Sequence, residues 1–422
     1  MSVMRDESRL WYGWVVLAVV FFVMITLIAF RATIGPFFKE ISGEFGWSRG
    51  ATAAAFSIGM LAQAIISPLA GIFSDRWSIR ASMSAGVLVF GLSLLIGSQI
   101  TSLWHFYLMY IGLCAGFAAS TWIAQVPTLS NWFVKKRGLA LGISNTCQGG
   151  AFCLNIATPY LIAALGWRMS YLALAGVTLL IVLPVCIIFH RDHPSAKGTI
   201  ADAPFVQNLM DEEAPKPMPP SADEPPVSMY NLPFFFFLGS FLPMAYAFAG
   251  MLVHLVPHAT DQGFSLETAS VLFAIWGLCQ VGANLISPVS DRLGRVPTYL
   301  IGNVLGIASA LVLATYEKGD PEIRFYIGTI TNGAALGLIR PTGSAILADY
   351  FEGPGFGRVN GVAMMGFALW GSAGPWTTGF LFDLHGSYLW GLSAFALMFF
   401  LCGFFAVLLG WVKRDKRGAS PA

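Results

Sequence analysis

The chain has 422 residues, of which 56% are apolar and only 11% charged, and its mean hydropathy is +0.68. A soluble domain carries about a quarter charged residues, so this composition excludes an ordinary water-soluble globule and points to lipid as the solvent. The net charge of +2 excludes nothing by itself; the placement of the 24 Lys and Arg carries the information.

Apolar runs of about 20 residues, read against polar breaks, predict spans near 12–38, 50–71, 81–99, 104–131, 138–165 and 168–190 in the first half. The second half gives spans near 232–258, 266–289, 297–315, 323–350, 357–382 and 388–412. Trp11 opens a run that continues past Ala29, too long for a signal peptide, so it reads as an uncleaved first span. An even number of spans puts both termini on one side. Seventeen Lys and Arg collect there, five lie in the opposite loops, and Arg31 and Arg340 fall within spans. The positive-inside rule makes the terminal side cytosolic. Residues 191–230, with Asp211, Glu213 and five prolines between Pro217 and Pro226, read as a flexible cytosolic linker. The six cysteines sit inside apolar runs as packing residues, with no disulfide framework and no metal spacing.

A loop at residues 71–80, containing Asp75, Arg76 and Arg80, recurs 216 positions later, shortened by one, with Asp291, Arg292 and Arg295. Too polar for lipid, each copy is expected as a tight cytosolic turn between two spans. Trp132-Phe133 through Arg137 and Gly142 is echoed by Tyr350-Phe351 through Arg358 and Gly361, and Thr158-Pro159 by Gly374-Pro375. The offsets agree, which predicts parallel repeats related by an axis along the membrane normal. The expected fold is an all-α membrane protein with twelve transmembrane helices in two six-helix pseudo-symmetric bundles. The bundles are residues 1–190 and 231–422, the latter with a cytosolic tail.

At these residues the chain resembles the major facilitator superfamily. Tyr12-Gly-Trp14, Phe45-Gly-Trp47-Ser-Arg49, the Asp75-Arg76 turn, Trp132-Phe133…Arg137-Gly138-x-Ala140-x-Gly142, His254…Pro257…Asp261-x-Gly263 and Gly374-Pro375…Asp383…Gly386-Ser-Tyr388 narrow the resemblance. They are similar to its bacterial monocarboxylate-transporter-like and oxalate:formate-antiporter-like branch. The resemblance implies a secondary transporter that functions as a monomer, with helices 1, 4, 7 and 10 lining a central cavity. Two departures stand out. Span 8 carries Trp276, Gln280 and Asn284 but no charge, and Ser287 stands where the repeated turn usually has Gly.

A charge at bilayer depth costs about 3 kcal/mol on insertion scales, so it faces a wet cavity or a partner. All 22 Asp and Glu lie in loops, tails, the linker or helix ends, which leaves Arg31 and Arg340 as intramembrane cations wanting an anion. Arginine binds a carboxylate through a bidentate fork; structural pairing and snorkelling are the competing readings. Further substrate-binding candidates are Trp122, Gln125, Asn145, Gln148, Tyr246, Trp276, Asn284 and Asn332, for each of which helix–helix hydrogen bonding is the bland alternative. His254, the one histidine well inside a span, is the proton-coupling candidate, with packing near the outer gate as its rival. Asp75, Arg76, Arg80, Arg137, Asp291, Arg292, Arg295 and Arg358 read as gating residues of the cytosolic side.

The expected function is alternating-access transport of a small organic anion across the bacterial inner membrane, by proton-linked symport or anion exchange. The expected partners are that anion, the lipid bilayer and protons; no cofactor, metal or nucleic acid is expected. Efflux of amphipathic drugs is the second reading, although it wants a carboxylate inside the cavity. A transporter-like receptor signalling through the linker is the third. An enzyme is not expected, since no Ser-His-Asp set, paired carboxylates or nucleotide-binding loop falls in the spans.

Overall fold

The computed structural model describes residues 11–134, 136–198, 231–351 and 356–418. Among these every regular element is a helix. In chain order they are α1 (Tyr12–Arg31), α2 (Ile34–Phe45), α3 (Arg49–Arg76), α4 (Ile79–Ser98), α5 (Leu103–Ser120) and α6 (Trp122–Trp132). Next come α7 (Arg137–Asn145), α8 (Cys147–Leu154), α9 (Thr158–Val177), α10 (Leu183–Phe189), α11 (Leu232–Asp261) and α12 (Leu266–Ile286). The chain ends with the short α13 (Ser290–Leu293), α14 (Arg295–Ala314), α15 (Glu322–Phe351), α16 (Phe356–His385) and α17 (Leu389–Gly418).

Nine stretches of the described residues are long and apolar enough to cross a membrane. One of them, Leu139–Phe189, has 51 residues and turns back at Gly166, whose φ of 72° is a left-handed conformation that glycine adopts without a Cβ penalty. It therefore crosses twice. The 30-residue helices α15 and α16 are each about 45 Å long at 1.5 Å per residue, ample for a crossing. α15 is less apolar because it carries Arg324, Asn332 and Arg340, and α16 because Gly, Ser, Thr, Trp and Pro interrupt its apolar residues.

Several spans expected as single helices are broken. Span 1 divides at Ala32–Thr33, where the Thr33 hydroxyl donates to the Phe30 carbonyl at 2.7 Å and competes with the helix ladder. Span 4 divides at Thr121, at φ −111° and ψ −109°. Span 5 passes through α7, α8 and a 3₁₀ turn before Pro159 opens α9. Span 6 contains a π turn at Thr178–Val182, just ahead of Pro184, which has no N–H to give to the turn behind it.

The expected loop at 71–80 is also shorter than predicted. α3 continues to Arg76, and the turn contracts to Trp77 and Ser78. The Ser78 hydroxyl then caps α4 by accepting from the Ala81 N–H. Ser48, Asn231 and Ser265 cap α3, α11 and α12 in the same way.

Within the halves α4 and α3 pack on α5, and α14 packs on α15 and α11 on α17. The halves meet chiefly at α3 with α16, α8 with α12, and α2 with α11. At the first of these, a Cβ on Gly379 would lie 2.7 Å from the Arg49 carbonyl oxygen, so glycine is what lets the two helices touch.

Candidate functional site

Arg340 lies midway along α15. Its Nη1 donates to Gln148 Oε1 of α8 at 2.9 Å, across the interface between halves, and its guanidinium stands 5.3 Å from the Phe248 ring of α11. Phe248 lies 217 positions after Arg31, within one residue of the 216-position offset of the repeated turn. Its ring stacks on Trp276 at 5.8 Å and 22°, and Trp276 in turn meets Phe152 of α8 at 5.4 Å. Three helices thus build one aromatic wall beside a half-buried cation of a fourth, hydrogen-bonded to a neutral amide oxygen.

Arg31, the last residue of α1, is held differently. Its guanidinium sits 4.8 Å from the Phe56 ring and 4.5 Å from the Phe117 ring, while its Nε is buried with no hydrogen-bond partner. Among the described residues neither arginine is ion-paired with a carboxylate.

The remaining substrate candidates divide into two groups. Trp276 Nε1 donates to Asn332 Oδ1 at 2.9 Å, and Asn332 Nδ2 donates to Ser309 at 3.0 Å, so these buried polar groups tie α12, α14 and α15 together. Gln125 donates to Asn145 at 3.1 Å, and the Tyr246 and Thr377 hydroxyls lie 2.6 Å apart. Trp122 is half-buried on α6, and Asn284 is exposed on α12.

Of the gating candidates, Asp291 pairs with Arg295 at 2.5 Å, and Arg295 Nε reaches Asp349 at 3.3 Å. Arg76, Arg137 and Arg292 are exposed. The side chains of Asp75 and Arg358 lie outside the described residues, as does the linker from 199 to 230. Arg80 joins a cluster under the first half: its backbone N–H donates to Asp192 Oδ1 at 2.7 Å and its guanidinium to the Ile187 carbonyl. There His190 is fully buried beside Thr128 and Asp192, and burial pushes its imidazole down to about 4.

Sequence reasoning treated Arg49 and Lys39 as loop charges and gave Asp261, Asp383 and Tyr388 no role. The structure brings them together at the end of the bundle opposite the termini. Arg49 Nη2 donates to Asp261 Oδ1 at 2.9 Å, Nη1 pairs with the other oxygen, and Lys39 Nζ lies 2.5 Å from the same carboxylate. Arg49 Nη1 also donates to the Tyr388 hydroxyl at 2.8 Å, and its guanidinium covers Phe382 at 3.8 Å. Asp383 accepts from the backbone N–H groups of Arg49 and Gly50 at 2.8 and 2.7 Å, an anion from one half seated on a helix N-terminus of the other. His254 is buried behind this cluster, with Nδ1 at 3.1 Å from the Tyr388 hydroxyl and Nε2 at 2.8 Å from the Pro375 carbonyl. The available signal was chemical: unassigned charges at one end of the bundle, all but Lys39 on the motif segments behind the resemblance.

Comparison with known proteins settles the class. The family model described as Major Facilitator Superfamily matches residues 20–314 and 235–422. The chain belongs to the Major Facilitator Superfamily. Similar curated proteins include monocarboxylate transporter 11 of Homo sapiens, 26% identical over 396 residues, covering 89% of this chain and 78% of that protein. Monocarboxylate transporter 12 of Rattus norvegicus is 26% identical over 430 residues, covering 96% and 86%. These names agree with the monocarboxylate-transporter-like branch indicated by the motifs. Two solved structures share the fold. A mutant of the nucleoside transporter NupG aligns with a TM-score of 0.66 at 12% identity, covering 94% of this chain and 98% of that one. A bacterial homolog of the human lysosomal transporter Spinster, in an inward-facing and unoccupied conformation, gives 0.69 at 14% identity, covering 97% and 99%. The superfamily member described here is a multi-pass membrane transporter and not an enzyme.

Proposed function

We propose that this superfamily member moves a small organic anion, a monocarboxylate or related carboxylate, across the bacterial inner membrane by alternating access. The bundles 1–190 and 231–422 rock about the interface between them, with the linker and both termini in the cytosol, and the monomer is the working unit. Transport is driven by proton symport or by exchange against a second anion.

The observation that carries this reading is the setting of Arg340. It projects from one half, meets only a neutral amide oxygen of the other, and stands over an aromatic ring. A carboxylate can join or displace Gln148 and use the guanidinium fork, while the Phe248 ring, backed by the buried Trp276 and Phe152, receives a short apolar body. Arg31, braced between two phenylalanines, supplies a second cation in the first half. Gln125, Asn145, Tyr246, Asn284 and Trp122 contribute a polar and aromatic lining.

The test is a thermal-shift screen of purified protein against monocarboxylates, dicarboxylates, sugars and lipophilic cations. A ligand at 100 times its dissociation constant adds about 2.7 kcal/mol of stability. The expected result is stabilisation by a carboxylate that disappears in Arg340→Ala. Stabilisation by sugars or cations, unchanged in Arg340→Ala and Arg31→Ala, refutes the anion reading.

A further inference from the structure

Three segments that carried the family resemblance, at 45–49, 254–263 and 374–388, have no part in the anion site, yet they converge at the end of the bundle opposite the termini. Four of their contacts run between the halves: Arg49 to Asp261 and to Tyr388, Asp383 to the start of α3, and the Trp376 backbone N–H to Ser57 at 3.2 Å.

Two hydrogen-bond directions there are fixed: Arg49 can only donate, so the Tyr388 oxygen accepts from it, and the Pro375 carbonyl can only accept, so His254 Nε2 carries a ring proton and donates to it. With the ring neutral, Nδ1 is the acceptor that the Tyr388 O–H meets at 3.1 Å. The closed arrangement is complete with a neutral His254. A second proton would remove the acceptor that Tyr388 uses and place a cation beside Arg49. When the halves part at this end, the ring gains water and leaves the arginine. The open state thus binds the proton better than the closed state, and by linkage acid favours opening.

The groups that face His254 come from every neighbouring element. Phe38 approaches from α2, Arg49 from α3, and His258 from its own helix. Asp383 approaches from α16 and Tyr388 from the turn that follows. One contact further out, Asp261 holds Arg49 and Lys39, Phe382 packs on Tyr388, and His385 is exposed and bonded to the Leu381 carbonyl. Among these His258 is the rival proton site, because its Nδ1 is buried without a partner.

We propose that these contacts form the gate at this end and that His254 is the group whose protonation opens it. The proposal rests on the alternating-access reading and supplies the site through which a proton gradient acts.

Hydrogen–deuterium exchange of the full chain in lipid nanodiscs, without substrate and corrected for intrinsic rates, tests it. Arg49→Ala should speed exchange about tenfold around 261 and 383 and slow it at the 76–80 and 292–295 turns, since a gate that opens one end closes the other. A shift from pH 7.5 to 5.5 should do the same in the wild type and in His258→Gln, but not in His254→Gln, which keeps an acceptor for Tyr388. Exchange raised at both ends in Arg49→Ala, or unchanged at 261 and 383, overturns the gate. An acid response that is absent in the wild type, survives in His254→Gln or vanishes in His258→Gln overturns the proton site. No anion is added, so these outcomes are separate from failure of the carboxylate reading, which shows in the thermal-shift screen.

Discussion

Arg31 and Arg340 meet the same cost, a full charge at bilayer depth, by different means. Arg31 spreads its charge over two aromatic faces, whereas Arg340 has one ring and one amide oxygen. Arg340→Lys keeps the charge but loses the planar fork and the stack. Carboxylate affinity, measured by titration calorimetry, should fall about 10- to 100-fold in that variant, in line with a charged hydrogen bond of roughly 1.5–3 kcal/mol. Arg31→Lys should have the smaller effect. His190 makes a separate prediction about stability. Its folded-state value of about 4 lies below the ordinary 6.5. Between those pH values the unfolded chain takes up a proton that the folded protein refuses, so stability falls as pH drops through this window. The full loss is roughly 3 kcal/mol at 1.36 kcal/mol per unit. Melting of wild type and His190→Gln at pH 7.5 and 4.5 should show a clearly smaller acid loss in the variant.

At the scale of elements, the spans are recognisable from hydropathy, but their breaks are not. Apolar content places α1 and α2 in one run; the competition of the Thr33 hydroxyl with the ladder, and the turn of Arg31 into a phenylalanine box, depend on what lies beside them. The contact of α3 with α16 rests on Gly379, where an added methyl would press on the Arg49 carbonyl at 2.7 Å. Gly379→Ala should force these helices apart and lower thermal stability by about 1–3 kcal/mol. Protease or exchange protection near residue 50 should fall with it, while protection near 292–295 is retained. A variant as stable and as well protected as the wild type would remove this glycine from the interface argument.

For the molecule as a whole, the duplication explains why two halves of unlike sequence pack alike inside yet face each other through a few specific pairs, α3 with α16, α8 with α12 and α2 with α11. If each half is a folding unit, residues 1–198 and 199–422 expressed as separate chains in one cell should co-purify in detergent. Replacing Arg49 and Asp261 with alanine together should weaken that association. Failure of the split chains to associate would show that covalent connection is needed to hold the interface.

The class of solvent, the helical architecture, the duplication and the family are all legible in one dimension. Each follows from local hydropathy, the spacing of glycine and proline, or motif order, and all of these survive without knowledge of neighbours. The sequence also singled out Arg31 and Arg340, because a charge inside an apolar run is conspicuous in one dimension. Tertiary structure alone decided the partners. Asp261, Asp383 and Tyr388 lie more than 200 residues from Arg49 and sit at helix ends, where charge is ordinary and carries no signal. Asn332 and Trp276 looked equally suited to a cavity, and only the crossing of their helices showed them bonded to each other. A side chain's chemistry is written in the sequence, but whether it is spent on a neighbour or left for a ligand depends on which helix faces it.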